Sequence, residues 1–195
     1  APQMVTQMLR LQQILSGYLT TDDGYQENFE TRRIDALLDI CYETSGKIII
    51  WSRFRYDIMK IAQVLSDNFG ENKVAKYFGD TKDDERSDII DRFQDPKSDL
   101  RFFIGNPSTA GRGLTLTEAQ TVVYYANDFN LDTRIQSEDR CHRIGQNKSV
   151  TYIDLISEGT IDEKIVHSLV NKIDLSAKVL GEEAKEWLQI KPKKA

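Results

Sequence analysis

Residues 47–51 form a short, uninterrupted run of apolar, mostly β-branched side chains, KIIIW. Such a run is typical of a strand that is buried on both faces, as the central strands of a parallel sheet are. A similar run, TVVYYA, covers residues 121–126, and weaker candidate strands cover residues 73–78, 101–104 and 150–156. Because strands of this kind need helices over both faces, these runs favour an α/β fold.

Stretches with apolar residues at helical spacing separate these strands. Helices are predicted over residues 4–19, 28–44, 54–69, 81–93, 132–142, 160–175 and 177–190, and the polar residues 20–27 are predicted to be a loop. Thr81 with Asp84, and Thr160 with Glu163, have the spacing of N-terminal helix caps. The alternation predicts a parallel sheet with helices on both faces, whose functional residues gather at the C-terminal ends of the strands.

The length and composition allow one sizeable domain and limit the kinds of partner and site that it can have. The chain has 195 residues, of which 39% are hydrophobic, and a net charge of −5. A nucleic-acid contact would therefore be a local basic patch on an acidic chain. The only two cysteines, Cys41 and Cys141, lie far apart, which indicates neither a disulfide framework nor a metal site, and Cys41 suits a core position. No apolar run is long enough to span a membrane.

Residues 136–146, QSEDRCHRIGQ, carry the most specific pattern in the chain. On a continuous helix, Gln136, Arg140 and Arg143 would project from one face, because they are separated by four, three and seven positions. Two guanidinium groups at one point suit a polyphosphate, since they are always charged and match phosphate oxygens. The alternative is a solvated helix with pairs between Gln136 and Arg140 and between Asp139 and Arg143.

Residues 106–117, NPSTAGRGLTLT, follow a predicted strand. Glycines on both sides of Arg112 allow close approach of a phosphate to the backbone, and Ser108 and Thr109 add hydroxyl donors. The alternative is an ordinary turn between a strand and a helix. The chain contains neither a G-x-x-x-x-G-K-[ST] phosphate loop nor an acidic box after a strand to hold magnesium, so it has half of a nucleotide site.

These stretches, in this order, resemble the superfamily 2 helicase-like ATPases in their Swi/Snf form. The pattern Q-x-x-D-R-x-x-R-x-G-Q at residues 136–146 resembles motif VI, and residues 106–117 resemble motif V, with Thr115 in place of the usual asparagine. Residues 47–54 resemble motif IV, and residues 77–94 resemble the Y-x-G…R…I-x-x-F pattern that follows it. The resemblance extends from about residue 4 to about residue 175 and is to the second RecA-like lobe.

The resemblance implies a motor lobe that acts on double-stranded DNA. ATP and Mg²⁺ would be held mainly by an N-terminal RecA-like lobe with Walker motifs, and the DNA backbone would be the other partner. The residues carried over by motif are the catalytic arginine fingers Arg140 and Arg143, the ATP-binding Gln136, Gly111 and Gly113, and the DNA-binding Ser52, Arg53, Ser108, Thr109 and Arg112. No metal ligand is expected within this chain.

The expected organisation is a helical lead-in over residues 1–45, the RecA-like lobe over 46–175, and a C-terminal helix with a basic tail over 176–195. The isolated chain is expected to be an inactive monomer without membrane contact. Three alternatives are a lobe of a strand-separating helicase, a non-catalytic nucleic-acid-binding module, and a complete small-molecule α/β enzyme. Short segments between the motifs favour a bacterial or viral source, and hence a cytoplasmic location.

Overall fold

The computed structural model of the chain describes residues 2–109, 114–141 and 149–180. In chain order, the strands are β1 (Tyr18–Thr20), β2 (Gln26–Asn28), β3 (Lys47–Ser52), β4 (Val74–Tyr77), β5 (Phe102–Gly105), β6 (Ala119–Ala126) and β7 (Thr151–Asp154). The last five form one sheet in the order β4-β5-β3-β6-β7, and each neighbouring pair is parallel. The two uninterrupted apolar runs of the sequence, in β3 and β6, lie side by side near its centre.

Six α-helices and one short 3₁₀ helix, Glu71–Lys73, accompany the strands in the described part of the chain. The α-helices are α1 (Pro2–Leu15), α2 (Arg33–Glu43), α3 (Arg55–Phe69), α4 (Asp83–Gln94), α5 (Leu131–Glu138) and α6 (Ile161–Leu180). None of these helices is long and apolar enough to cross a membrane.

The sheet has an apolar core on each face. Ile48 and Ile50 of β3 face one core, with α2 and α3, whereas Ile49 and Trp51 face the other, with α4. Successive side chains of a strand point to opposite faces, so an uninterrupted apolar strand contributes side chains to both cores. Cys41 is fully buried on the α2 and α3 side, in the core position predicted for it. The predicted α/β fold with helices on both faces is therefore confirmed.

The hairpin of β1 and β2 was not predicted. It pairs Tyr18 with Asn28 in antiparallel register, whereas residues 20–27 were expected to be a loop. Its second strand is exposed and wholly polar, so it has no hydrophobic period that a sequence reading could detect. Because β2 occupies residues 26–28, helix α2 begins at Arg33 and not at residue 28.

Four other helix boundaries also differ from the sequence prediction. Helix α1 ends at Leu15 and not at residue 19, because β1 begins at Tyr18. Thr81 does not cap α4, which begins at Asp83; its hydroxyl accepts a hydrogen bond from the Phe78 backbone N–H (3.1 Å) and so closes the preceding turn. Helix α5 ends at Glu138, short of the predicted residue 142. The break predicted between two C-terminal helices is absent, because α6 continues to Leu180; the remainder of the second predicted helix lies outside the described residues.

A buried lysine accounts for the end of α4. The Nζ atom of Lys47 donates to the carbonyl oxygens of Arg92 (3.1 Å), Phe93 (2.7 Å) and Asp95 (2.7 Å). A cation at this position pairs with the negative end of the helix and satisfies carbonyls that lack a helical partner. Burial lowers the pKa of Lys47. The first residue of the central strand thus fixes the helix that covers one face of the sheet.

Candidate functional site

Three loops meet at the C-terminal edge of the sheet, after β3, β5 and β4. Asn106, just after β5, connects them: its side-chain Nδ2 donates to the backbone oxygen of Arg53 (2.8 Å), and its backbone N–H donates to the carbonyl oxygen of Tyr77 (3.4 Å). No role was predicted for Asn106 from the sequence. Its position directly after a buried strand could have indicated a role, because functional residues gather at the C-terminal ends of parallel strands.

Ser108 and Thr109 lie on the same small turn. The Ser108 hydroxyl (2.6 Å) and backbone N–H (2.9 Å) both donate to Oδ1 of Asn106, and the Thr109 backbone N–H donates to the Asn106 carbonyl oxygen (3.1 Å). Ser108 is exposed and Thr109 is half-buried. Asn106 therefore places the predicted hydroxyl donors beside Arg53, on the surface of one continuous edge.

Arg53 is the predicted DNA-contact cation in the described part of this edge. Its Nη1 donates to Oε1 of Gln12 (3.1 Å) and lies 3.5 Å from Oδ1 of Asp128. Gln12 and Asp128 restrict the guanidinium, and the side chain is still 32% exposed to solvent. A cation that is aligned and still reachable suits contact with a phosphate.

Ser52, in contrast, lies behind this surface. It is fully buried, and its hydroxyl donates to Oδ2 of Asp57 (2.6 Å), which also accepts from the Ser16 hydroxyl (3.1 Å). Burial raises the pKa of Asp57 to about 6, with the two serine hydrogen bonds opposing the rise. In this arrangement the Ser52 hydroxyl braces the start of α3, and the DNA contact expected of Ser52 stays a prediction.

Helix α5 is anchored by a buried arginine that the sequence analysis did not single out. Arg134 donates to Oδ1 of Asn127 (3.0 Å), to Oδ1 of Asp154 (2.6 Å) and to Oε1 of Glu138 (2.5 Å), and its Cζ lies 3.5 Å from the ring centre of Tyr124. Burial raises the pKa of Glu138, and the neighbouring Arg134 opposes this shift. The separation of four residues between Arg134 and Glu138 was the sequence signal.

Gln136 and Arg140 do not share one exposed face. Gln136 is exposed, whereas Arg140 is 7% exposed and lies in the turn that follows α5. The carbonyl oxygen of Arg140 accepts from the backbone N–H of Leu116 (2.9 Å). The end of the stretch that resembles motif V is therefore bonded to the first arginine of the stretch that resembles motif VI.

The other predicted site residues, Arg143, Gly111, Arg112 and Gly113, lie outside the described residues, so their roles stay predictions. Within residues 2–109, 114–141 and 149–180, no group of three or more His, Cys, Asp or Glu side chains could hold a metal ion.

The model of the helicase conserved C-terminal domain matches residues 32–145, more than half of the chain. The chain therefore belongs to the helicase conserved C-terminal domain family. Within this family, the predicted resemblance to the Swi/Snf type is confirmed by similar proteins. One is the SWI/SNF chromatin-remodeling complex subunit snf22 of Schizosaccharomyces pombe, which is 34% identical over 75% of this chain and 9% of its own length.

Two solved structures agree with this assignment. The chain is similar to the Sulfolobus solfataricus SWI2/SNF2 ATPase core in complex with dsDNA, with a TM-score of 0.67 and 28% identity over 89% of this chain and 36% of that one. It is also similar to the C-terminal part of the Fun30 ATPase domain, with a TM-score of 0.63 and 31% identity over 72% of this chain and 46% of that one. The predicted RecA-like fold of the C-terminal lobe is thereby confirmed.

The expected bacterial or viral source and cytoplasmic location are wrong. Curated relatives of the chain come from fungi and a plant, and one of them, from Saccharomyces cerevisiae, is named nuclear protein STH1/NPS1. Short segments between motifs were the only basis for the expectation, and segment length does not specify a source. The chain spans about a tenth of the length of snf22 and of STH1/NPS1.

Proposed function

We propose that this chain is the second motor lobe of an ATP-dependent translocase on double-stranded DNA. Two relatives support this by what their names state: the Sulfolobus solfataricus core is in complex with dsDNA, and a Schizosaccharomyces pombe relative is an ATP-dependent helicase. The chain would act with an N-terminal RecA-like lobe of the same protein. That lobe would supply the Walker motifs and the Mg²⁺ ligands.

On the nucleotide side, Arg140 and Arg143 would act as arginine fingers, with Gln136, Gly111 and Gly113 lining the cleft. Guanidinium groups stabilise the charge that develops on a transferred phosphoryl group, and an arginine finger contributes about 10³–10⁵ in rate. Arg140 is only 7% exposed in the chain as described, so its finger role requires a rearrangement of this lobe that turns the guanidinium toward the cleft when ATP and the other lobe are bound.

On the DNA side, Arg53 with Ser108, Thr109 and Arg112 would contact the phosphates of the duplex. Ser52 would support this surface indirectly, through the hydrogen bond that its buried hydroxyl donates to Asp57. Contacts of this kind position a protein on DNA and carry little sequence information. The proposed motor would therefore move along duplexes of any sequence.

The observation that carries the proposal is the hydrogen bond between Leu116 and Arg140 (2.9 Å). It joins the end of the proposed DNA-contact loop to the start of the arginine segment, so a displacement of one displaces the other. A motor needs such a link, because ATP hydrolysis at one surface must shift the DNA grip at another.

The proposal is tested by measuring DNA-stimulated ATP hydrolysis of the full-length parent, as wild type and as Arg143→Ala, beside this chain alone. A loss of about 10³ or more in the variant, with no hydrolysis by the chain alone, is expected. Arg92→Ala is the matched control, because Arg92 is an exposed arginine of α4 that pairs with Asp88 of the same helix. It should retain wild-type hydrolysis.

Hydrolysis by this chain alone would show that it contains a complete nucleotide site, which contradicts the proposal. An active parent that is unaffected by Arg143→Ala would show that residues 136–146 are structural. Strand displacement by the active parent on a forked duplex would replace translocation by strand separation. Full DNA affinity without any hydrolysis in the parent would favour the non-catalytic binding module.

A further inference from the structure

Gln12, in α1, is a buried amide that uses both of its polar atoms. It is 2% exposed, its Nε2 donates to the backbone oxygen of Asn127 (2.8 Å), and its Oε1 accepts from Nη1 of Arg53 (3.1 Å). A carbonyl oxygen can only accept, so the contact with Asn127 requires the NH₂ group on that side. The amide oxygen must then face Arg53, and its orientation is determined by the backbone after β6.

The hydrogen bond to Gln12 restricts the position of the Arg53 guanidinium at the C-terminal edge of the sheet. The backbone N–H of Arg53 donates to the Ala126 carbonyl (3.3 Å), and its carbonyl accepts from Asn106 (2.8 Å), so its main chain is fixed as well. About a third of the side chain remains exposed. Rotamer freedom in a free arginine would weaken any contact it makes, because that freedom is lost on binding.

We propose that Gln12 is a positioning residue that aligns Arg53 for contact with a DNA phosphate. The inference rests on the proposed function, in which Arg53 contacts DNA. A neutral amide suits this task better than a carboxylate would, because it directs the cation without cancelling its charge. Gln12 precedes Arg53 by 41 residues and belongs to the helix that leads into the lobe. The lead-in helix therefore supports the proposed DNA-contact surface from beneath, through Arg53.

The test measures binding of the full-length parent to a duplex of fixed length over a range of salt concentrations. Arg53→Ala should reduce the slope of log affinity against log salt by about 0.9, the loss of one phosphate contact. Gln12→Glu should lower the slope by a similar amount, because a buried carboxylate pairs with the guanidinium. Gln12→Met, which keeps the length and removes the acceptor, should weaken binding about two- to tenfold.

A positioning role also predicts non-additivity. Once Arg53 is alanine, adding Gln12→Met should cause no further loss of affinity, since its effect passes through the arginine. Gln13→Met is the matched control: Gln13 is also buried in α1, but its Oε1 accepts from Arg10 (3.1 Å) on the same helix. It should leave both the affinity and the salt slope at wild-type values. Thermal unfolding of each variant establishes that it folds.

The outcomes separate the two proposals. If Arg53→Ala leaves the salt slope unchanged, the DNA contact itself fails. If Arg53→Ala lowers the slope but the losses from Arg53→Ala and Gln12→Met add, Gln12 is structural only and the positioning role is overturned. If Gln13→Met weakens binding as Gln12→Met does, the effect comes from the stability of α1, which also overturns it. If Gln12→Met does not fold, the salt slope of Gln12→Glu tests the positioning role instead, and a wild-type slope overturns it.

Discussion

The arginines at the two halves of the sheet edge are held in opposite ways. Beside β3, Arg53 and Arg55 each meet one carboxylate, and their side chains are 32% and 67% exposed. Beside β6 and β7, Arg33 and Arg134 are buried, with side chains 5% and 8% exposed, and each donates to several acceptors from different elements.

The difference follows from what a charge costs away from water. A buried guanidinium is tolerated only when carboxylates and carbonyls replace its hydration, so Arg33 and Arg134 are committed to holding the fold. An exposed guanidinium gains little stability from a single ion pair. Arg53 and Arg55 can therefore exchange their carboxylate partners for a phosphate at low cost, while Arg53 keeps its hydrogen bond to Gln12. Accessibility, more than residue type, separates structural arginines from candidate contact residues.

The strongest test of this comparison is Arg134→Ala. It leaves the buried carboxylate of Glu138 and the partly buried carboxylate of Asp154 without their cation, so the free energy of unfolding should fall by about 3–5 kcal/mol. Denaturant unfolding of the full-length parent, followed for the transition of this lobe, measures it. A loss below about 1 kcal/mol would show that the pair is exchangeable like an exposed one.

Asp57 is a buried carboxylate near the end of β3, in the half of the sheet edge that carries Arg53 and Arg55. Its folded pKa, raised to about 6 by burial, exceeds the ordinary value of 3.8, so the folded state binds the proton more tightly. Its contribution to stability is complete below about pH 4 and is lost as pH rises through 6. The stability of the wild type relative to Asp57→Asn should therefore fall by about 2–3 kcal/mol between about pH 4 and pH 7. Denaturant unfolding at each pH measures this, and a constant difference would contradict it.

Arg55→Ala provides the exposed counterpart of Arg134→Ala. The Arg55–Asp80 pair is close (2.6 Å) but its side chains are 67% and 60% exposed. Its removal should change the free energy of unfolding by about 0.5 kcal/mol or less. The same unfolding experiment measures it. A loss above about 2 kcal/mol would mean that proximity outweighs exposure, and the distinction between the two halves would not hold.

The smallest expected effect is at Asp128, 3.5 Å from Arg53. Asp128→Asn removes a charge that competes with phosphate, so affinity for a duplex should rise by up to about twofold at low salt and return to wild type at high salt, where such charges are screened. Equilibrium binding at two salt concentrations measures it. Asp88→Asn, a carboxylate paired with Arg92 on α4, is the control. An unchanged affinity at low salt would show that Asp128 does not limit Arg53.

Much of the fold was predictable from short-range patterns. Continuous apolar runs located the central strands, because burial on both faces leaves no room for polar residues. The hairpin of β1 and β2 was missed because Gln26–Asn28 has no apolar period. The cap expected of Thr81 failed because its hydroxyl bonds to the preceding turn. Local competition of this kind among hydroxyl and backbone groups cannot be read from spacing.

The site was only partly predictable for a related reason. Functional residues were expected to gather at the C-terminal ends of the strands, and Asn106 joins the ends of β3 and β5. Arg134 was not singled out, because its acceptors Asn127 and Asp154 come from other elements and make it structural. The single helical face expected for Gln136 and Arg140 was wrong, since α5 ends between them at Glu138.

The amino-acid sequence by itself determined the α/β class and the family, because strand burial, helical period and motif order are properties of neighbouring residues. The tertiary structure alone decided that Ser52 is buried, that Arg53 is accessible and that Gln12 faces both Arg53 and Asn127. Gln12 and Asn127 are 115 positions apart in the chain. Contacts over such separations depend on how the whole chain packs, and no local pattern encodes them.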